Sequence, residues 1–480
     1  MSLKEIVDPR IYETYHMDES MSFEVKECDP SLFLTSKRLD LMAKILYLEC
    51  KDKVPAHAEK VYLESIRCMT KDSFLEWNTG KKGKEDFLKA FDQTYESMKE
   101  NGYSDTVLPV PVGNNNQILD GAHRIACAFV LHIPVKAVFI PVEAEYDIYD
   151  ADYFRSCAVD ENVLDEMVLE YARLHDHMCC FNFWPSAKGH DAEAEEILKK
   201  HFDVVYKKEV TLNETGAFNY LTQIYSEYSW AQDHDNDGYA GVYRKLVPCF
   251  PDYSPVRAYI VQVRDYADET AVKEEIRQLY QLEKHSVHAT DNQTETIAMA
   301  SLLLSSSTVD FMNHANVTKY KNTLELLKTV KDYDLEQTVF TGSIVLALYG
   351  IRQAEDLDYL TLDETRIKDS HNDLLSYYGM TLNEALFDPD QYFMYSGMKF
   401  LTLSNVRKFK ANRNEGKDKD DLQLIDLVFS SGDKKNCKAE FLRFRRRTVA
   451  KMQGGILRFA HKTGTYDAMR KVYRTLKGKK

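Results

Sequence analysis

Three short stretches of the sequence bring together side chains that can grip or move phosphorus. The first is Asp120-Gly121-Ala122-His123-Arg124. A glycine that opens a helix offers unpaired backbone N–H groups and the positive end of the helix dipole. Arg124 would add a two-pronged phosphate ligand, and His123 an imidazole able to carry a proton near neutral pH. Asp120 would cap the helix or face a metal or a hydroxyl. The second stretch runs from His285 to Asp291, where neutral His288 is a nucleophile that a nearby carboxylate could orient. The third is Gly342-Ser343, followed after twelve residues by Asp356-Leu357-Asp358. On a strand the two aspartates share a face and suit Mg²⁺ or Mn²⁺. Such metals activate an attacking hydroxyl and stabilise a leaving pyrophosphate, while Ser343 and the helix start hold a triphosphate. Each stretch also has a plain structural reading: a capped turn, a satisfied core histidine, aspartates that cap loops.

These residues need elements to hold them. Val110-Pro-Val reads as a strand, Gly113–Asn116 as a turn, Gln117–Leu119 as a partner strand, His123–Leu131 as a helix and Lys136–Val142 as a returning strand. Residues 36–105 are helix-rich. The next unit alternates strands at Cys180–Trp184, Val204–Val210 and Arg257–Val263 with helices at Asp191–His201 and Glu274–Leu282. That order predicts a ferredoxin-like α+β sandwich. Residues 311–335 read as helical. Val339–Thr341 then runs through Gly-Ser into a helix at Ile344–Tyr349, and a strand begins at Asp356. The expected divisions are 1–150, 151–315, 316–432 and a basic helical tail, 433–480, in an α/β and α+β multidomain chain. Two further signals are weak. Asp233–Gly238 starts like a calcium loop but has Arg244 at the twelfth position, so a polar loop is expected. His175, His177, Cys179 and Cys180 are off zinc spacing and read as structural.

The Asp-Gly-Ala-His-Arg segment resembles the ParB/sulfiredoxin superfamily, in particular its free-serine-kinase branch. That resemblance implies a nucleotide pocket around Gly121 and Arg124, catalysis at Asp120 and His123, and a carboxylate near the first strand, Asp40 or Glu27. Ala122 stands where sulfiredoxins carry their reactive cysteine, and no helix-turn-helix follows, so sulfinic reduction and DNA segregation are not expected. The middle unit resembles nucleoside diphosphate kinase through Ser254-Pro-Val, Tyr225, Arg277 and Val287-His288-Ala-Thr-Asp291 with Glu295. This implies a phosphohistidine at His288, with Tyr225 and Arg277 near the phosphates. It departs at Trp184-Pro-Ser, which lacks the family's lysine unless Lys188 substitutes, and at His285. The third unit resembles the nucleotidyltransferase superfamily over about 335–430. Its Gly-Ser and Asp-x-Asp motifs are followed by a hairpin at Tyr392–Leu401. A closing helix region carries Arg407–Lys410, Arg413 and Lys417-Asp-Lys-Asp-Asp421. The resemblance implies metal binding at Asp356, Asp358 and a third carboxylate, with Asp388 and Asp390 the nearest, and nucleotide contacts at Gly342, Ser343 and Lys417.

The 480 residues are 44% hydrophobic and 29% charged, with only 12 Pro and 19 Gly, which excludes a disordered chain. No apolar run is long enough to span a membrane, and the N-terminus lacks signal-peptide order. Nine cysteines without CxxC pairs suggest reduced thiols in the cytoplasm. Lys434–Lys480 holds sixteen Lys/Arg against two acids, so of the net −14 the tail carries +14 and residues 1–433 carry −28. A body this acidic is not a general DNA binder. The tail, with Phe441, Phe444, Val449, Met452, Ile456 and Phe459, reads as an amphipathic helix. It would rest on an anionic membrane or pack on the body. The combined expectation is a cytoplasmic phosphotransfer enzyme that uses ATP or CTP with Mg²⁺. It would transfer a nucleotidyl or phosphoryl group to a small hydroxylated or phosphorylated acceptor. A sugar, polyol or amino alcohol of bacterial surface-glycan synthesis follows from the resemblances alone. The alternatives are a small-molecule kinase with a degenerate third unit and a non-catalytic nucleotide-sensing scaffold.

Overall fold

Along Met178–Phe183 every side chain is buried, but successive ones enter different cores. Met178 and Cys180 join the largest buried cluster; Cys179, Phe181 and Phe183 join a second one. That two-sided apolar pattern is what a strand covered on both faces requires. The chain is seen in a computed structural model that describes residues 2–76, 79–104, 107–144, 148–231, 239–264, 266–430, 463 and 465. It is a mixed α/β multidomain protein with three larger sheets and twenty α-helices among the described residues.

The first sheet has three strands, β1 (Glu24–Cys28), β2 (Val110–Val112) and β3 (Val135–Phe139), in the order β1-β3-β2. β3 is antiparallel to β1 and parallel to β2. Four helices matter around it: α1 (Asp40–Cys50), α2 (Pro55–Met69), α3 (Lys84–Asn101) and α4 (Ala122–Leu131). The expected partner strand at Gln117–Leu119 is reduced to a single bridge, Val112 to Ile118. The turn before it is too tight for a longer ladder: Asn115 and Asn116 both have positive φ.

The second sheet contains β4 (Met178–Phe183), β5 (Asp203–Val210), β6 (Val256–Gln262) and β7 (Val287–Ala289), ordered β5-β6-β4-β7 with every neighbour antiparallel. α5 (Glu161–Leu174) precedes β4; α6 (Asp191–His201) and α7 (Tyr266–Tyr280) cover the face carrying Cys179 and Phe181. α7 begins eight residues before the expected start, at Tyr266. The third sheet contains β8 (Thr338–Thr341), β9 (Asp358–Thr361), β10 (Tyr392–Tyr395) and β11 (Met398–Leu401), ordered β9-β8-β11-β10. β8 pairs antiparallel with β9 and parallel with β11. α8 (Ser343–Leu348) leaves β8; α9 (Leu403–Arg413) and α10 (Gly416–Ser430) are the last described helices.

The largest buried cluster runs from Cys28 to Ile425 and takes side chains from all three sheets. The units therefore share apolar contact rather than hanging on linkers. No described helix is long and apolar enough to cross a membrane. The basic tail from 433 and the Asp233–Gly238 loop lie outside the described residues, apart from Thr463 and Thr465.

Candidate functional site

The lysine in Leu41-Met-Ala-Lys44-Ile stands in an otherwise apolar run, and α1 buries it completely. A buried ammonium is tolerated only with a partner. Here Lys44 Nζ lies 2.9 Å from Asp40 Oδ2, and Arg38 grips the same carboxylate through Nε and Nη2 at 2.8 and 3.0 Å. Burial alone would raise the Asp40 carboxyl pKa; the two cations outweigh it and hold it below the usual range. Burial pulls Lys44 down, against the pull of Asp40. One carboxylate thus faces two cations, which leaves positive charge over.

That surplus faces a cavity of about 830 Å³. Its wall includes five cationic side chains, Arg10, Arg38, Lys44, Lys81 and Arg124, against three carboxylates, Asp8, Glu76 and Asp120. The volume falls in the range of small-molecule and nucleotide sites. Gly121 opens α4 with φ of +89°, and a Cβ there would meet Arg124 Nη2 at 2.9 Å. Glycine is therefore needed both for the backbone and for the close approach of the guanidinium. Arg124 is not idle: Nη1 donates to the Tyr103 hydroxyl at 2.9 Å and to the Leu108 carbonyl. Asp120 lies 3.5 Å from Arg10 Nη2, on the helix Pro9–Thr14. Lys81 Nζ lies 2.7 Å from Glu76 Oε2.

His123 packs edge-on against Phe91 at 4.7 Å, with Nε2 2.9 Å from the Tyr62 hydroxyl. Burial, helped by the charges of Lys44 and Lys81, pushes its pKa far below the ordinary histidine value. A neutral imidazole at pH 7 is a hydrogen-bonding wall, not a proton reservoir. Two expectations change here. Asp40 is not a free carboxylate but the centre of an ion triad. Glu27 is exposed on β1, away from the residues that line the cavity. Arg10, Arg38, Lys44, Lys81 and Glu76 were not singled out from the sequence, although an ammonium inside the apolar run of α1 is a readable signal.

At the second stretch, His288 is buried and lies opposite Asn182 across β4–β7. Its ring stacks with Trp184 at 6.3 Å and meets Tyr225 edge-on at 5.3 Å. Nε2 has no hydrogen-bond partner, but Glu295 Oε1 is 3.5 Å away. Tyr225 thus lies beside His288, and its phenol is buried. Arg277 reaches the carbonyl of Val287 at 3.4 Å and pairs with Glu274. Lys188 pairs with Asp252 rather than entering this group, and His285 Nδ1 sits 3.7 Å from Cys249 Sγ. The eight described cysteines are free thiols. His175 stacks on Tyr171 at 3.8 Å and bonds the carbonyls of Leu34 and Tyr171, a structural arrangement.

At the third stretch, the structure brings Gly342, Ser343, Asp356 and Asp358 together. Ser343 Oγ lies 3.2 Å from Asp356 Oδ1, and the Ser343 N–H points to Asp358 Oδ2 at 3.4 Å. Gly342 has φ of +68°, and a Cβ on it would stand 2.1 Å from Asp358 Oδ2. Strand alternation is not the cause, because β9 begins at Asp358 and Asp356 lies before it. The serine corner gathers the carboxylates instead. Asp358 is also held by His371 Nε2 at 3.1 Å, a residue the sequence did not suggest. Arg413 lies near enough for its charge to act on Asp358. Asp356 and Asp358 offer oxygen donors that suit Mg²⁺, whose other positions are commonly filled by water and substrate phosphate.

Asp388 does not join them. It caps the C-terminal end of the helix Leu382–Phe387. It lies instead 3.3 Å from His57 Nδ1. Lys417 is two-thirds exposed and pairs with Glu415. The acids beside it turn inward: Asp418 and Asp421 bracket the buried Lys410 at 3.3 and 2.9 Å, and Arg413 grips Asp418. That motif fastens α10 to α9. No family model, curated protein or solved structure matches this chain.

Proposed function

We propose that this protein is a nucleotide-dependent phosphotransfer enzyme of the small-molecule kinase type, with its phosphorylated ligand in the cavity beneath Gly121. The observation that carries the reading is the cationic cavity itself. About 830 Å³ of space is lined by five cations against three acids, with two of the cations fixed by a buried carboxylate. Preorganised charge in a place partly shielded from water binds phosphate strongly and stabilises the charge that develops in transfer. Arg38 and Lys44 form the cationic floor; Arg10, Lys81 and Arg124 stand where they can turn from their present partners to an arriving anion. Neutral His123 orients by hydrogen bonding, and Asp120, released from Arg10 by the anion, is the carboxylate placed to accept a proton from an acceptor hydroxyl.

A second reading, Mg²⁺-dependent nucleotidyl transfer at the third unit, is favoured by the convergence of Ser343 on Asp356 and Asp358. Product analysis with labelled ATP and CTP separates the two. Nucleoside diphosphate release that is lost in Arg124→Ala/Lys81→Ala supports the first reading. Pyrophosphate release that is lost in Asp356→Ala/Asp358→Ala supports the second and removes the first. Tight binding without turnover leaves a nucleotide-sensing scaffold and removes both.

A further inference from the structure

α2 carries His57 and Lys60 one turn apart on the same face of the helix. Each reaches one carboxylate from α5 or its cap and one from the turn that leads into β10. His57 Nε2 lies 2.8 Å from Glu166 Oε2, and its Nδ1 3.3 Å from Asp388 Oδ1. Lys60 Nζ lies 3.6 Å from Asp160 Oδ2 and 3.1 Å from Asp390 Oδ2. The result is a ladder of two rungs where segments of three different units meet: α2 between β1 and β2, α5 before β4, and the turn between β9 and β10. The lysine rung is charged at any physiological pH, whereas the histidine rung depends on a proton. A neutral imidazole can donate its one N–H to Glu166, the hydrogen bond it makes, but the second carboxylate, at ion-pair distance from Nδ1, favours the charged imidazolium.

We propose that His57 is a proton-operated clamp, closed when its ring is protonated, that joins α2 and α5 to the turn at Asp388–Asp390. The groups around it are Lys60 on α2, Glu166 on α5 and Asp160 at its N-cap, and Asp388 and Asp390 in the turn. Glu170, one turn along α5, is engaged by Arg173 at 3.6 Å, and Lys53 lies over the Phe387 ring at 5.2 Å. Burial pushes the Tyr392 phenol up to about 12, so it stays neutral. Burial lowers the pKa of His57, but Glu166, Asp388 and Asp390 more than offset it, so the proton is held above the ordinary histidine value. Burial raises Glu166 while the imidazolium opposes it. A base whose folded pKa is raised stabilises fully below its unfolded value, about 6.5, and loses that contribution as pH rises through the folded value. The clamp is therefore tight in mild acid and slack above neutrality. Because α2 also carries Tyr62, which meets His123 in the cavity wall, a slackened α2 reaches that cavity. The clamp itself does not depend on what the cavity binds.

The test uses the full chain labelled with ¹³C-histidine, titrated by NMR from mild acid to mild base, with His57 assigned through His57→Gln. The expected midpoint for His57 lies above about 6.5, and Glu166→Gln lowers it. Thermal melting of the wild type falls as pH rises through that midpoint, and His57→Gln lacks this fall whereas Lys60→Ala keeps it. A His57 midpoint at or below about 6.5 overturns the proposal. So does an unchanged pH dependence of melting in His57→Gln. Stoichiometric Zn²⁺ binding by calorimetry, lost in Asp388→Ala/Asp390→Ala, would also overturn it by making the cluster a metal site. Should His57→Gln fail to fold, the resonance that moves in Glu166→Gln identifies His57 and the midpoint still decides.

Discussion

Gly121 and Gly342 are the same backbone device put to opposite electrostatic use. Both have positive φ, both open a helix, and at both a side chain lies where a Cβ would be. At Gly121 that side chain is the guanidinium of Arg124, with four other cations around an open cavity. At Gly342 it is the carboxylate of Asp358, with Asp356 beside it and Ser343 bonded to both. A cationic corner takes a phosphate directly. An acidic corner repels one unless a divalent cation comes between. A shared turn thus says little about chemistry; the sign of the charge folded over the glycine and the space in front of it say more.

The comparison can be broken most forcefully at its buried anchor. Asp40→Ala leaves Arg38 and Lys44 buried without their counter-ion, and should cost about 3–5 kcal/mol in urea unfolding. The same carboxylate has a depressed pKa, so its contribution is present above the unfolded value, about 3.9, and is lost as pH falls below it. An acid-unfolding curve of wild type that is insensitive to pH around 4 and below would contradict the triad. Next comes the cationic corner: Arg124→Ala should weaken nucleotide binding by about 1.5–3 kcal/mol in calorimetry. Equal affinity in the variant would show that the other cations suffice. At the acidic corner, Gly342→Ala forces a methyl against Asp358 and a side chain into positive φ. It should cost about 1–3 kcal/mol of stability while leaving nucleotide affinity of the first cavity as it was. A joint loss would mean that the two corners are one site. The smallest effect is expected at exposed Lys417. Lys417→Ala should shift stability by less than about 0.5 kcal/mol and leave nucleotide affinity unchanged. A clear affinity loss there would return the closing helix to the nucleotide site.

Local order was legible where one segment decides it. The helix at Asp191–His201 stands where the local sequence put it, and the hairpin strands around Tyr392–Leu401 where the resemblance to nucleotidyltransferases implied them. Asp356 and Asp358 were expected to meet through strand alternation, but Asp356 is not on the strand; Ser343, whose contact with both was not anticipated, gathers them. Asp388 shows the limit: counting residues made it a candidate partner of the aspartates, while long-range packing set it against His57. The cations Arg10, Lys44 and Lys81 reach Arg124 from segments before and after α2, so their meeting was invisible in any one window.

By itself the amino-acid order determined which residues could open a helix on glycine, which strands were apolar on both faces, and how charge divides between body and tail. These follow from backbone sterics and from side-chain solvation, which act over a few neighbouring residues. Only the packed chain decided which charges face each other. Asp40 is claimed by two cations, Asp388 by a histidine 331 positions earlier in the sequence, and Lys410 by Asp418 and Asp421 on the next helix. Such pairings are set by distances of a few ångströms between segments far apart along the chain, and desolvation makes each of them count only once the core around it has closed.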